Sequence, residues 1–338
     1  MKRIAITDID NIRIGQTEDK KSATGCTVLV CPAGMRAGLD IRGGGPASRE
    51  TALLDPLASA QTIHAVVLGG GSAFGLDAAG GVMALLEERG IGLEVGITKV
   101  PLVVQSDIFD LTVGDGSVRP DKAMGYAAAK AALDAPNYRD GNFGAGCGAS
   151  VGKSCGMEHC MKTGIGSCAV QIGDLKIGAV TVLNALGDVF DSKSAKKIAG
   201  MLNTDNSGFA DSLEFMTQHI TPVQNKFADN TTISAVMTNA KFDKAQLCKI
   251  AGMAHDGYAR SISPVHTSAD GDSIYALSAG DIEADIDAVG VIAAEVISEA
   301  IKVAVYSAES AYGLYSAKDL PFYSNPPYNS DKIRSQNP

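Results

Sequence analysis

Residues 228–242 read "ADNTTISAVMTNAKF". Asp229 and Asn230 are turn formers, and Thr231 to Val236 has the β-branched, small-residue look of a buried strand. Its first residue is a threonine behind an asparagine, about two-thirds of the way along 338 residues. Either Thr231 is simply where a strand begins, or it is an N-terminus that chain cleavage would create.

The surroundings decide the fold class. Upstream, "LKIGAVTVLNALGDVFD" (175–191) alternates like a central strand ending at Asn184, and "SAKKIAGML" (194–202) reads as a short helix. Residues 203–229 are polar and irregular. Downstream come an amphipathic helix, "DKAQLCKIAGMAHDGYARSI" (243–262), the strand "SIYALSAG" (273–280) and a long helix over 285–312. Nearer the start, "IHAVVL" (63–68) runs through the turn "GGGSAFG" (69–75) into the helical "LDAAGGVMALLEERG" (76–90). "LEVGITKVPLVV" (93–104) is strand-like, and "KAMGYAAAKAAL" (122–133) is an alanine-rich helix behind Pro120 and Asp121. Strands and helices mix without strict alternation, so the expectation is layered α+β.

Composition narrows the partners. A net charge of −9 and a pI near 5.1 argue against nucleic acid or an anionic membrane surface. The apolar run 289–308 is broken by Glu295, Glu299 and Lys302, and the first residues lack an apolar signal core. Seven cysteines then read as reduced thiols, and the expected location is cytoplasmic.

Several motifs invite chemistry. The turn Gly69–Gly75 approaches a dinucleotide fingerprint, but Phe74 stands where the third glycine belongs, which favours close helix–strand packing. Cys155, His159 and Cys160 fit no paired metal-binding spacing, so no metal and no cofactor is expected. His255 and His266 read as structural. Asp270 and Asp272 flank Gly271 in what alone would be an Asp-Gly turn.

Eight strings in one order give those acids a context. They are "GGGSAFGLDAAGGVMALLEERG", "VRPDKAMGYAAAKAA", "GAGCGASVGK", "KTGIGS", "TVLNALGDV", "NTTISAVMTNA", "MAHDGYAR" and "PVHTSADGDSIYALSAG". Together, over about residues 7–315, the chain resembles the self-processing aminopeptidases of the DmpA/BapA family (L-aminopeptidase/D-esterase and β-peptidyl aminopeptidase). The resemblance implies an αββα sandwich over 1–338, cut between Asn230 and Thr231 into subunits 1–230 and 231–338. It implies Thr231 as nucleophile and base, Asn184 as oxyanion donor, and Asp270 and Asp272 as groups orienting Thr231. An α-amine with a pKa of about 7.7–8.0 suits the base role at neutral pH. Lys162 and Gly164–Ser167 match a family motif without an assignable role.

Two departures touch the substrate. The stretch "GASVGK" lacks the family's tyrosine, and Gln105 stands where relatives carry a glutamate for the substrate ammonium. Asp107 or Asp110 would have to supply that carboxylate, and Gln105, Asp107, Gly70 and Gly71 are the expected substrate-binding positions. The expected substrate is a small peptide or amino-acid amide, and the expected assembly a homo-oligomer, a tetramer of processed heterodimers. An acyltransferase of the ornithine acetyltransferase kind and a nucleotide-binding protein using the Gly69–Gly75 turn are the alternatives.

Overall fold

The computed structural model describes residues 1–220, 230–320 and 322, so the approach to the expected cut, 221–229, lies outside the described residues. Ten described strands build the main sheets. They are β1 (Lys2–Ile4), β2 (Arg13–Asp19), β3 (Thr24–Ile41), β4 (Ala47–Arg49), β5 (Ile63–Gly69), β6 (Val103–Asp107), β7 (Ile165–Ile172), β8 (Leu175–Val182), β9 (Ile233–Ala240) and β10 (Ser273–Ile282). The helices are α1 (Ala78–Glu88), α2 (Lys122–Asp134), α3 (Ser212–Gln218), α4 (Lys244–Ser261) and α5 (Ile286–Ser307).

The 18-residue strand β3 belongs to two sheets. Its first half pairs with β2 on one side and β5 on the other, and Arg36–Ile41 pair with β10. The register against β5 shifts between Val30 and Met35, where the strand leaves one layer for the other. One sheet therefore runs β1-β7-β8-β9-β10-β3 and the other β2-β3-β5-β6-β4. Each contains one parallel pair joined by a crossover: β9 and β10 through α4, and β5 and β6 through α1.

Period-two alternation fills three cores. Ile233, Ala235 and Met237 of β9 face Leu29, Val66, Leu68 and Val104 between the sheets. Their neighbour Val236, with Ile274 and Ala276, packs under Leu247 and Ile250 of α4 and Ile297 and Ile301 of α5. On the far side, Val28, Val67 and Val103 meet Val82, Leu85, Ala128 and Ala132 of α1 and α2. The order helix, sheet, sheet, helix is the expected α+β sandwich.

Local signals explain where elements start, and four segments differ from expectation. Asp243 accepts from the Gln246 amide at 2.8 Å while the Gln246 side chain accepts from the Asp243 N–H at 2.9 Å, which opens α4. The "SAKKIAGML" segment is not a helix. Lys197–Ala199 pair with Asp188–Phe190 as strand, because Lys197 Nζ reaches Asp188 at 2.7 Å and Gly200 has φ 150°, outside helical geometry. "LEVGITKVPLVV" is a small hairpin, Leu93–Glu94 against Lys99–Val100, turned by Gly96 at φ 87°, before β6 begins. Within the stretch expected to be irregular, Asp211 caps α3 by accepting from Glu214 N–H at 2.9 Å, and α5 ends at Ser307 rather than 312.

Candidate active site

The arm Asn230–Thr232 leads into β9 between the loops after β8 and before β10. Its main chain is held at every residue. Thr231 N–H donates to the Asn184 carbonyl at 2.8 Å, Gly271 N–H to the Asn230 carbonyl at 3.3 Å, and Ser273 N–H to the Thr232 carbonyl at 3.2 Å. Thr231 Oγ1 donates to the Asn230 carbonyl as well. Thr231 is 4% exposed and Asn230 3%, so the hydroxyl and the carbonyl before it share a nearly dry site. Gly271 must lack a side chain here, since a Cβ would fall 2.7 Å from Thr231 Oγ1.

Asp272 and Asp270 are both buried beside this arm, with different partners. Asp272 Oδ1 accepts from Thr232 N–H at 2.8 Å, and Oδ2 accepts from His266 Nδ1 at 2.8 Å and His266 N–H at 3.2 Å. Asp270 accepts from the Thr267 amide at 2.7 Å and hydroxyl at 2.6 Å. Burial, reinforced by the Asp272 charge, pushes Asp270 up to about 6. The resemblance implies that both acids orient Thr231; the hydrogen bonds of Asp272 run to Thr232 and His266, and those of Asp270 to Thr267.

Asn184, fully buried, is the second centre of the site. Its Oδ1 accepts from Lys153 Nζ at 2.7 Å and Ser150 N–H at 3.1 Å, and its Nδ2 donates to the Phe109 carbonyl at 3.0 Å. Two donors on Oδ1 fix which way the amide faces. Lys153 is the residue that sequence reading passed over. Its one signal was a lysine closing "GASVGK". Lys162 sits behind it with no exposed surface, donating to the carbonyls of Gly146 at 3.2 Å, Ala149 at 3.0 Å and Thr163. Burial pulls its pKa down to about 7.

The expected substrate-binding residues form a neighbouring cluster. Gln105 accepts from Ala79 N–H at 2.9 Å and donates to the Gly75 carbonyl at 2.8 Å and Asp107 at 2.7 Å. Asp110 receives Gly71 N–H at 2.7 Å and Thr24 Oγ1 at 2.8 Å, and burial pushes it up to about 6. Burial also raises Asp107 well above the carboxylate range. These acids fill the space that side chains on the Gly-rich turn would need: a Cβ on Gly70 would fall 2.1 Å from Asp110 Oδ2. Close packing thus accounts for those glycines. The cluster touches the site through Phe109, whose carbonyl Asn184 holds.

No described helix is long and apolar enough to cross a membrane. Residues 5–318 match peptidase family S58. The chain is 37% identical over 338 residues to an uncharacterised aminopeptidase of Mycobacterium leprae, covering 92% of each. It is 31% identical over 311 residues to a 6-aminohexanoate-oligomer endohydrolase of Agromyces, covering 87% of this chain and 84% of that one. The fold is similar to an L-aminopeptidase D-Ala-esterase/amidase from Ochrobactrum anthropi, described as a variant of the Ntn hydrolase fold. That likeness has a TM-score of 0.69 at 16% identity, over 98% of this chain and 92% of the other. With a sandwich of that kind and a match along nearly its whole length, the chain belongs to peptidase family S58, a hydrolase of the aminopeptidase type.

Proposed function

We propose that the protein is a self-cleaving aminopeptidase that cuts itself between Asn230 and Thr231 and then releases N-terminal residues from small peptides or amino-acid amides. The observation that carries the reading is the buried Thr231 hydroxyl set against the carbonyl of the bond it would break. In the first step Oγ1 adds to the Asn230 carbonyl carbon, the C–N bond breaks, and the Thr231 nitrogen takes the proton. Water then cleaves the ester, leaving an Asn230 carboxylate and a free Thr231 amine. In turnover that amine accepts the Oγ1 proton as the hydroxyl attacks the substrate carbonyl, and passes it to the departing amine as the substrate C–N bond breaks. Water then cleaves the resulting ester and releases the N-terminal residue. Asn184 serves as a donor to the oxyanion, and the charge of Lys153 on its Oδ1 polarises that amide.

Hydrolysis of ω-amino acid amides is a second substrate reading, favoured by the 31% identity to the 6-aminohexanoate-oligomer endohydrolase. Homo-oligomeric assembly belongs to the same proposal and has its own check in light scattering.

Mass analysis under denaturing conditions tests the cut. The 34.8 kDa chain divides by length into fragments of about 24 and 11 kDa, the smaller beginning Thr-Thr-Ile-Ser-Ala. Thr231→Ala should fold, stay whole and be inactive, while Thr231→Ser should keep part of both activities. A Thr231→Ala chain that still cuts itself would end the reading.

A further inference from the structure

His266 stands outside the machinery just described, yet it grips one of its acids twice. Its ring Nδ1 and its main-chain N–H both donate to Asp272 Oδ2, at 2.8 and 3.2 Å, while Oδ1 of the same carboxylate holds Thr232 N–H at 2.8 Å. We propose that His266 is a positioning residue for the nucleophile, acting through Asp272 to fix the Thr231–Thr232 arm. The inference rests on Thr231 being that nucleophile.

Three observations carry it. First, the terminal torsion of an aspartate is broad, so one oxygen must be pinned if the other is to hold an amide in place. With Asp272 only 1% exposed, the ring and main chain of His266, rather than bulk water, hold that oxygen in the native protein. Second, His266 Nε2 is buried without a hydrogen-bond partner among the described residues, so Nδ1 is the ring nitrogen through which the side chain acts. The ring beside it, His255, packs edge-on with centroids 4.8 Å apart, and burial holds His255 near a pKa of about 4, uncharged at neutral pH. Third, His266 has φ 57°, a left-handed conformation uncommon outside glycine and adopted more readily by asparagine, aspartate and histidine than by other side chains. That conformation aims both the ring and the main-chain N–H of one residue at one oxygen.

The left-handed backbone also supplies the variants. Glycine and asparagine both tolerate it, and asparagine places an amide nitrogen near the position of Nδ1. Self-cleavage of pulse-labelled chain, followed on denaturing gels, gives a rate that needs no identified substrate. His266→Gly should slow it by roughly tenfold to a hundredfold, the scale of a small misplacement of a reacting group. His266→Asn should restore most of the rate, and added imidazole should restore part of it to His266→Gly, whose site is reachable because the native side chain is 17% exposed. Either rescue supports the inference. His266→Gly cutting at the wild-type rate, or failure of both rescues in folded protein, overturns it. Should His266→Gly not fold, His266→Asn is compared with His266→Gln, which puts its nitrogen near Nε2; asparagine the faster supports the role and equal rates overturn it. Thr231→Ala separates the two levels. If it still cuts, the underlying reading has failed; if it stays whole while His266→Gly cuts normally, only the present inference has.

Discussion

Gly271→Ala is the smallest change that tests whether Thr231 and the loop before β10 meet as a working site. A Cβ there would fall 2.7 Å from Thr231 Oγ1, 2.9 Å from the Gly45 carbonyl and 3.1 Å from Thr231 Cγ2. Comfortable carbon contacts lie at about 3.5–4.0 Å, so something must move by roughly 0.5–1 Å. Gly45 is tied by its N–H to the Asp270 carbonyl at 2.8 Å, which leaves the threonine side chain to give way. Overpacking of this kind costs about 1–3 kcal/mol of stability. Its larger effect is on rate: a displacement near 1 Å lowers the rate about 10²-fold, equal to about 2.7 kcal/mol of barrier. Self-cleavage is followed on denaturing gels and turnover with a chromogenic amino-acid anilide. Gly208→Ala is the control, because among the described residues its Cβ would meet only Asn203 Nδ2, at 3.5 Å. If Gly271→Ala cuts and turns over at the rate of that control, the proximity of Gly271 to the Thr231 hydroxyl has no bearing on catalysis.

Two further outcomes follow from other parts of the site. Asn184→Asp keeps an acceptor for Lys153 and Ser150 but removes the amide donor, so kcat should fall about 10²–10³-fold with KM little changed; steady-state kinetics on the matured protein reads this, and an unchanged kcat would take Asn184 out of the oxyanion role. Lys162 has its folded pKa lowered to about 7, below its unfolded value, so the unfolded chain binds the extra proton as pH rises above 7. Its ammonium therefore costs stability in full below pH 7, and that cost fades toward the unfolded pKa. Urea midpoints at pH 7 and pH 9 should shift in favour of wild type relative to Lys162→Met, and parallel shifts would contradict the burial argument.

Parts of this arrangement can be read in the chain before folding, and parts cannot. The strand behind Thr231 and the start of α4 are legible because alternation and an Asp-x-x-Gln cap are local signals. Strand β3 is not. Pro32 and Gly34 interrupt its middle, and its last six residues find their partner in β10, more than two hundred positions later. Asn184 and Asp272 stand out through the family strings, but the partners that orient them do not. Lys153 meets Asn184 across two loops with no spacing rule to announce it. His266 meets Asp272 from a left-handed backbone, a conformation no side-chain pattern reveals. The burial of Gln105 and Asp107 under the Gly-rich turn likewise depends on the parallel packing of β5 and β6.

The sheet order β8-β9-β10-β3 has a mechanical meaning. Among the described residues, what enters the sheet after Thr231 is the pair β9 and β10, driven like a wedge between strands that belong to the earlier part of the chain. Six residue pairs tie β9 to β8 on one side and six tie β10 to β3 on the other. A cut before Thr231 would therefore divide the covalent chain without opening a seam. Withdrawing the wedge would expose two sheet edges and strip α4 and α5 from their core, so the halves should stay together on dilution. One broken peptide bond would free an amine at the site while the architecture around it stays closed.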